Sequence, residues 1–268
     1  MTITHIATLL ATGIGAGFAS GFLGVGGAFI TTPVQYEVFT AMGIPTDMAV
    51  KLAFGTSLLV VLPTAASGAW RHHKEGVVWW KAAFIMGGCG LGVSFGGATL
   101  AARLPGAGLK IAFGAVVLAA AIRMLISTPL KVEGEPKDNP WLWAAWAIPI
   151  GMATGILGIG GGVLMVPIMV LALNFNMHRA VATSLAVIIF TSIGGVIGYI
   201  VNGLDVPHLP PYSIGYVNLL SGSLLAATSV GMAQVGAVAA HRLPAKQLRY
   251  VFIGVMFYIG LRMLGVFD

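Results

Sequence analysis

Apolar residues along this chain do not alternate with polar ones. They come in solid runs, separated by short stretches that hold most of the charge. Read in order, the runs predict a helix from Thr2 to Phe22, a break at Gly24–Gly27, a short helix from Ala28 to Met42 and a turn at Gly43–Asp47. A helix over Ala49–Trp70, a polar loop at Arg71–Glu75, a Gly-rich helix over Val77–Ala102, a turn at Leu104–Gly106 and a helix over Leu109–Ile126 complete the first half. After a polar linker, Thr128–Asn139, the pattern starts again: a helix over Trp141–Leu157, a break, a short helix to Leu173 and a helix over Ala180–Asn202. A Pro-rich loop at Asp205–Pro211 follows, then an apolar segment from Ser213 to Ala240 holding Asn218 and Gln234. A turn at Leu243-Pro244 and a helix over Leu248–Val266 end the chain.

One run cannot be a single crossing. From Pro140 to Met177 there is no Asp, Glu, Lys or Arg, nearly twice the ~20 residues that span a bilayer. Its glycines at 158, 160, 161 and 162 are where a helix gives way, because glycine weakens a helix and accepts positive φ. A break in lipid strands backbone polar groups, and it is tolerated only where protein covers it or where it lines a cavity. In a polytopic chain it points to a binding site.

The break occurs twice. Gly21–Pro33 reads GFLGVGGAFITTP and Gly155–Pro167 reads GILGIGGGVLMVP, with Gly21, Leu23, Gly24, Gly26, Gly27 and Pro33 recurring at an offset of 134. Gly55–Leu58 matches Ala182–Leu185 at an offset of 127, and Ala102–Leu125 matches His241–Leu264 at 139. The chain therefore reads as a duplication: a first membrane repeat over 1–127, the linker over 128–139 and a second repeat over 140–268.

Composition narrows the class. Of 268 residues 57% are apolar and 8% charged, against about 25% charged in soluble domains. This is an all-α polytopic membrane protein; a β-barrel would alternate in ~10-residue segments. The net charge of +6 needs no nucleic acid, because basic loops at a cytoplasmic membrane face explain it. The single cysteine, Cys89, excludes an internal disulfide, and no Cys/His cluster has metal-ligand spacing. The apolar N-terminus lacks a basic leader region and reads as a first helix.

The 14 Lys and Arg choose between topologies. If each broken run crosses once, they divide evenly. If each is a hairpin returning to its starting side, Arg71, Lys74, Lys81, Arg123, Lys131, Lys137, Arg179, Arg242, Lys246 and Arg249 share one side. Only Lys51, Arg103, Lys110 and Arg262 lie opposite. The second division obeys the positive-inside rule. It predicts two inverted repeats, each a Gly-broken helical hairpin plus about three spanning helices, with both termini on the non-cytoplasmic side. Inverted repeats with broken helices are a secondary-transporter plan.

The helices after the breaks begin near Gly27 and Gly161, and a helix N-terminus favours an anion. Gly26, Gly27, Gly160, Gly161 and Gly162 are thus candidate substrate-binding positions; the plainer reading is that they permit close helix packing. Thr56, Ser57, Thr183 and Ser184 offer hydroxyls at matching places, or simply bond back to their own helices. Lys51, His178 and Arg179 stand at helix starts, where the dipole disfavours a cation; they attract substrate or anchor the interface. Glu37 is the candidate proton-coupling carboxylate, Gln35 and Gln234 are further candidates for substrate attraction or coupling, and the plainer reading of Gln234 is an interhelical hydrogen bond. His72 and His73 read as solvated in a charged loop. No carboxylate pair, nucleophile–base set or phosphate-loop motif occurs, so the chain does not read as an enzyme and calls for no cofactor or metal.

Gly-Xaa-Gly-Gly after a first helix (Gly24–Gly27 and Gly158–Gly161), followed by Pro33 and Pro167, together with His-Arg-Ala…Thr-Ser-Leu in the second half, resembles the TauE/SafE family of bacterial sulfite and organosulfonate exporters. The resemblance covers nearly the whole chain. It implies export of a small sulfur-containing anion across the inner membrane, with the anion held where the two breaks meet. The first half departs from the pattern, with Ala28 where the second has Gly162 and Lys51 where it has His178, which makes the two breaks unequal. The residues themselves say secondary transporter, anion rather than cation. An anion channel, an uptake permease for another oxyanion and a non-transporting membrane scaffold stay open, as does homo-oligomerisation. The expected partners are a small anion and the lipid bilayer.

Overall fold

The computed structural model describes residues 1–126, 136–240 and 245–266. Most of the linker and the turn at Leu243-Pro244 lie outside them. Among the described residues the chain is almost entirely helical: α1 Ile3–Leu23, α2 Ala28–Ala41, α3 Thr46–Lys74, α4 Trp80–Arg103, α5 Gly106–Ile126, α6 Pro140–Leu157, α7 Gly162–Leu171, α8 Met177–Val201, α9 Leu219–Ala240 and α10 Ala245–Met263. Seven of these are long and apolar enough to cross a membrane. A small antiparallel hairpin, β1 Ser213–Ile214 and β2 Val217–Asn218, precedes α9.

The breaks fall where glycine spacing predicts. α1 ends at Gly24 (φ 70°), whose N–H bonds Ser20 O at 2.9 Å, and α6 ends at Gly158 (φ 62°), bonded to Thr154 O at 2.9 Å. Left-handed Gly27 (φ 76°) and Gly161 (φ 78°) start α2 and α7. Such φ values carry a steric cost for any residue with a Cβ. The chain doubles back at the second break: Lys137, just before α6, donates its backbone N–H to Leu173 O, just after α7, at 3.0 Å. The outer ends of α6 and α7 therefore lie side by side.

α3 and α8 are the central pair, with 78% of each apolar window buried. Around them α1 packs on α9, α4 on α6 and α8, and α5 on α10. Small residues set these approaches. A Cβ on Gly17 or Gly21 of α1 would meet the backbone of Ser229 or Ala233 in α9, and one on Gly155 of α6 would meet Ser94 O in α4. Without water to drive helices together, such close backbone contact supplies the attraction in lipid. Ser94 Oγ adds a 2.6 Å bond to Thr191 O, tying α4 to α8, and Tyr199 Oη bonds Gly155 O at 3.0 Å, tying α8 to α6.

Three expectations change. Arg71–Lys74 is the last turn of α3, not loop, and His72 is buried with Nε2 3.1 Å from Gly21 O, whereas His73 is exposed. Gln234 faces outward from α9 and is exposed, so it does not serve as an interhelical bond inside the bundle. The apolar segment from Ser213 starts as the β-hairpin, and Asn218 caps α9: its Oδ1 accepts from Ser221 N and Ser221 Oγ, both at 2.9 Å. A capping acceptor satisfies N–H groups that a helix start leaves over, which is why a polar Asn sits in an apolar run.

Candidate functional site

The two breaks lie against each other and each is braced by the opposite half. Gly24 O accepts a hydrogen bond from Ser184 Oγ of α8 at 2.8 Å. At the second break a Cβ on Gly158 would stand 2.6 Å from Phe54 Cα of α3. Between them, a Cβ on Gly162 would run into the backbone of Val25. Val61 of α3 fills the space between the breaks: Cβ atoms placed on Gly26 and on Gly160 would each be 3.3 Å from its Cγ1, with Ile188 of α8 also beside Gly26. The close-packing role of these glycines is thus plain. The same geometry brings the first N–H groups of α2 and α7, which no side chain caps and which have no helical carbonyl to bond, toward one region.

Thr56 and Thr183 act alike. Thr56 Oγ1 accepts the N–H of Asn218 at 2.9 Å, and Thr183 Oγ1 accepts the N–H of Trp79 at 3.0 Å. Each hydroxyl holds the residue that leads into the next helix, α9 or α4. Both are fully buried, so their expected substrate role is joined by a structural one. The serines differ. Ser184 secures Gly24, while Ser57 Oγ accepts from Gln35 Nε2 at 2.8 Å and from Thr31 Oγ1 at 3.0 Å.

This polar set on the first break went unseen in the sequence apart from Gln35 and Ser57. Gln35 is 0% exposed, and its Oε1 is buried without a partner, as are Ser20 Oγ and Thr32 Oγ1. Buried polar atoms are normally bonded, and each exception asks for an explanation. The second break has Thr154, Val166 and Met169 at the positions of Ser20, Thr32 and Gln35, and Thr154 Oγ1 bonds Ile150 O at 2.8 Å. The first hairpin is therefore polar where the second is apolar. The signal was available as Thr31-Thr32 standing against Met165-Val166 in the repeat.

The charged candidates lie elsewhere. Lys51, 5% exposed, is bonded to Asp47 Oδ2 at 2.8 Å and lies 5.8 Å from the Tyr216 ring centre. Asp47 Oδ1 also accepts from Gly106 N at 2.6 Å, fastening the start of α5. Burial, then the Asp47 charge, holds the Tyr216 phenol above its ordinary value, so it stays neutral. Glu37 pairs with Arg262 at 3.1 Å, both about 40% exposed, joining α2 to α10. Arg179 stacks over Trp79 at 5.4 Å, and His178 is exposed. None of these cations or carboxylates is brought to the breaks. Among the described residues no group of three His, Cys, Asp or Glu could hold a metal.

Comparison with known proteins places this architecture. The profile of the Sulfite exporter TauE/SafE family matches residues 9–263. A probable membrane transporter protein of Haemophilus influenzae is 28% identical over 97% of this chain and 98% of its own. One of Methanocaldococcus jannaschii is 32% identical over 96% and 94%, and YdhB of Bacillus subtilis, also a probable membrane transporter protein, is 30% identical over 70% and 76%. No solved structure matches. With a family profile spanning nearly its whole length and relatives that are membrane transporters, this multi-pass chain is a transporter rather than an enzyme and belongs to the TauE/SafE sulfite exporter family.

Proposed function

We propose that the protein is a secondary transporter that exports a small sulfur-containing anion, sulfite or an organosulfonate, across the bacterial inner membrane, and that the anion is held where the two breaks meet. The observation that carries this reading is the apposition of the breaks, Gly162 against Val25. It gathers two uncapped helix starts, each equivalent to roughly half a positive charge. The hydroxyls of Ser20 and Thr32 supply donors on the first side, and the Gln35 carbonyl supplies an acceptor suited to a protonated anion such as bisulfite. The sulfur chemistry rests on the family.

An inverted arrangement of the halves fits the same packing. Helices paired by the sequence repeat have matching surroundings: Thr56 with Asn218 and Thr183 with Trp79, Gly24 beside Val181 and Gly158 beside Phe54. With the side bearing Arg71, Lys74, Lys81 and Arg179 cytoplasmic by the positive-inside rule, the termini lie outside.

The test is uptake of radiolabelled sulfite, sulfate, taurine and sulfoacetate into proteoliposomes preloaded with the unlabelled anion. Saturable counterflow of a sulfur anion supports the reading. Conductive flux without counterflow supports a channel, and flux of none of them removes the sulfur-anion assignment.

A further inference from the structure

We propose that the cavity between the α3–α4 connection and the first turn of α8 is a binding site for an oxyanion head group, separate from the breaks. Gly76, Val77, Val78, Trp79, Trp80 and Arg179 line a space of about 260 Å³. A water takes about 30 Å³, so a tetrahedral anion fits with water to spare. The guanidinium of Arg179 lies 5.4 Å over the Trp79 ring. Stacking of that kind fixes the plane of the guanidinium and leaves its N–H edges for bidentate bonds to an oxyanion.

Neighbouring Lys81 is bound to Asp138 at 2.8 Å and Arg71 to Glu75 at 3.1 Å, but among the described residues no carboxylate pairs with Arg179. Arg179 sits in the first turn of α8 and the cavity abuts the start of α4; neither helix has an acid in its first turn. Asn176 Oδ1 caps α8 by accepting from Arg179 N at 2.8 Å, and Thr183 Oγ1 takes the Trp79 N–H, so the Arg179 guanidinium is the cation left to meet an anion in this space. The other half shows what supplies that anion when the chain does: Asp47 neutralises Lys51. At the 127 offset Lys51 becomes His178 and Asp47 becomes Asn174. The second half has no carboxylate at that position, and Arg179 stands where the first half has Leu52.

A phosphate or sulfonate head meets this chemistry whether free or on a lipid, and tryptophans such as Trp79, Trp80 and Trp141 are the residue type enriched where headgroups lie. The site does not rest on the transport reading, because binding is measured directly. Full-length protein in detergent is titrated with sodium sulfate at constant ionic strength, reading tryptophan fluorescence. In parallel, retention of phosphatidylglycerol against phosphatidylcholine is read by native mass spectrometry. We expect saturable binding in at least one arm, weakened about tenfold or more in Arg179→Gln, as loss of a charge-assisted contact predicts, and unchanged in Arg103→Gln. The sulfate arm assigns a free anion and the lipid arm a headgroup. Binding of neither probe, or equal binding by Arg179→Gln, overturns the site. Should Arg179→Gln not fold, Val78→Cys in a Cys89→Ser background is labelled with a charged thiol reagent. Protection by sulfate or phosphatidylglycerol supports the site, and unprotected labelling overturns it.

Discussion

Gln35 donates its Nε2 hydrogen to Ser57 Oγ at 2.8 Å, while the other end of the same amide, Oε1, is buried without a partner. One half of the side chain fixes α2 against α3 and the other half is held ready. Gln35→Leu keeps the volume and removes both. Transport falls at least tenfold while the thermal midpoint moves little, because the replacement also relieves a buried unsatisfied carbonyl. Proteoliposome flux beside a melting curve checks this; full flux in Gln35→Leu removes the residue from the site.

Thr56→Val strands the buried N–H of Asn218, and Thr183→Val the part-buried N–H of Trp79. Each costs about 1–3 kcal/mol of stability. The bonds share no partner, so the double variant is the sum of the singles to about 0.5 kcal/mol. Denaturant or thermal unfolding of the three variants measures it.

Glycines at the breaks are not interchangeable with those on helix faces. Gly27→Ala forces a Cβ to 2.6 Å from Ala16 O at φ 76°, and Gly161→Ala forces one to 2.5 Å from Thr154 Oγ1 at φ 78°. The left-handed backbone alone costs about 1–2 kcal/mol. Gly27 is the worse case, since a backbone oxygen cannot swing aside as a threonine hydroxyl can. Gly88→Ala, with nothing within 4 Å, is neutral or stabilises by up to about 1 kcal/mol. Expression level and melting temperature rank the three.

At the Asp47–Lys51 pair the two truncations are unequal. Asp47→Ala leaves a lysine with 7% side-chain exposure unpaired and the Gly106 N–H without its acceptor. Lys51→Met leaves only a carboxylate that is 58% exposed. Asp47→Ala therefore destabilises more, by about 2 kcal/mol or more, because an uncompensated buried charge is the larger penalty. Adding Lys51→Met to Asp47→Ala recovers part of the loss. Melting temperatures of the singles and the double decide it.

Much of the helical layout was legible because lipid leaves the chain little choice. A run without charge must cross or fold back, and clustered glycines mark where it breaks. Boundaries moved where charge and helix disagree: Arg71–Lys74 looked like loop because it is polar, yet helix is the cheapest way to satisfy its backbone as α3 leaves the bundle. Gln234 looked buried because its neighbours are apolar, but in a lipid-facing helix apolar neighbours say nothing about which side faces protein. Lys51 looked like a free cation because its partner, Asp47, sits one helical turn earlier, across what reads as a turn.

From sequence alone came the membrane class, the two breaks and the family, since these depend on hydrophobicity, spacing and glycine conformation, which are local properties. Tertiary structure decided what each polar group does. Thr56 and Thr183 secure helix entries, Ser184 secures a break, Gln35 and Ser57 form a pair, and Arg179 faces a cavity. Those roles depend on which atoms from distant segments come within hydrogen-bonding distance. Inside a bilayer, where water does not compete, that proximity determines whether a hydroxyl is spent on the fold or left for a ligand.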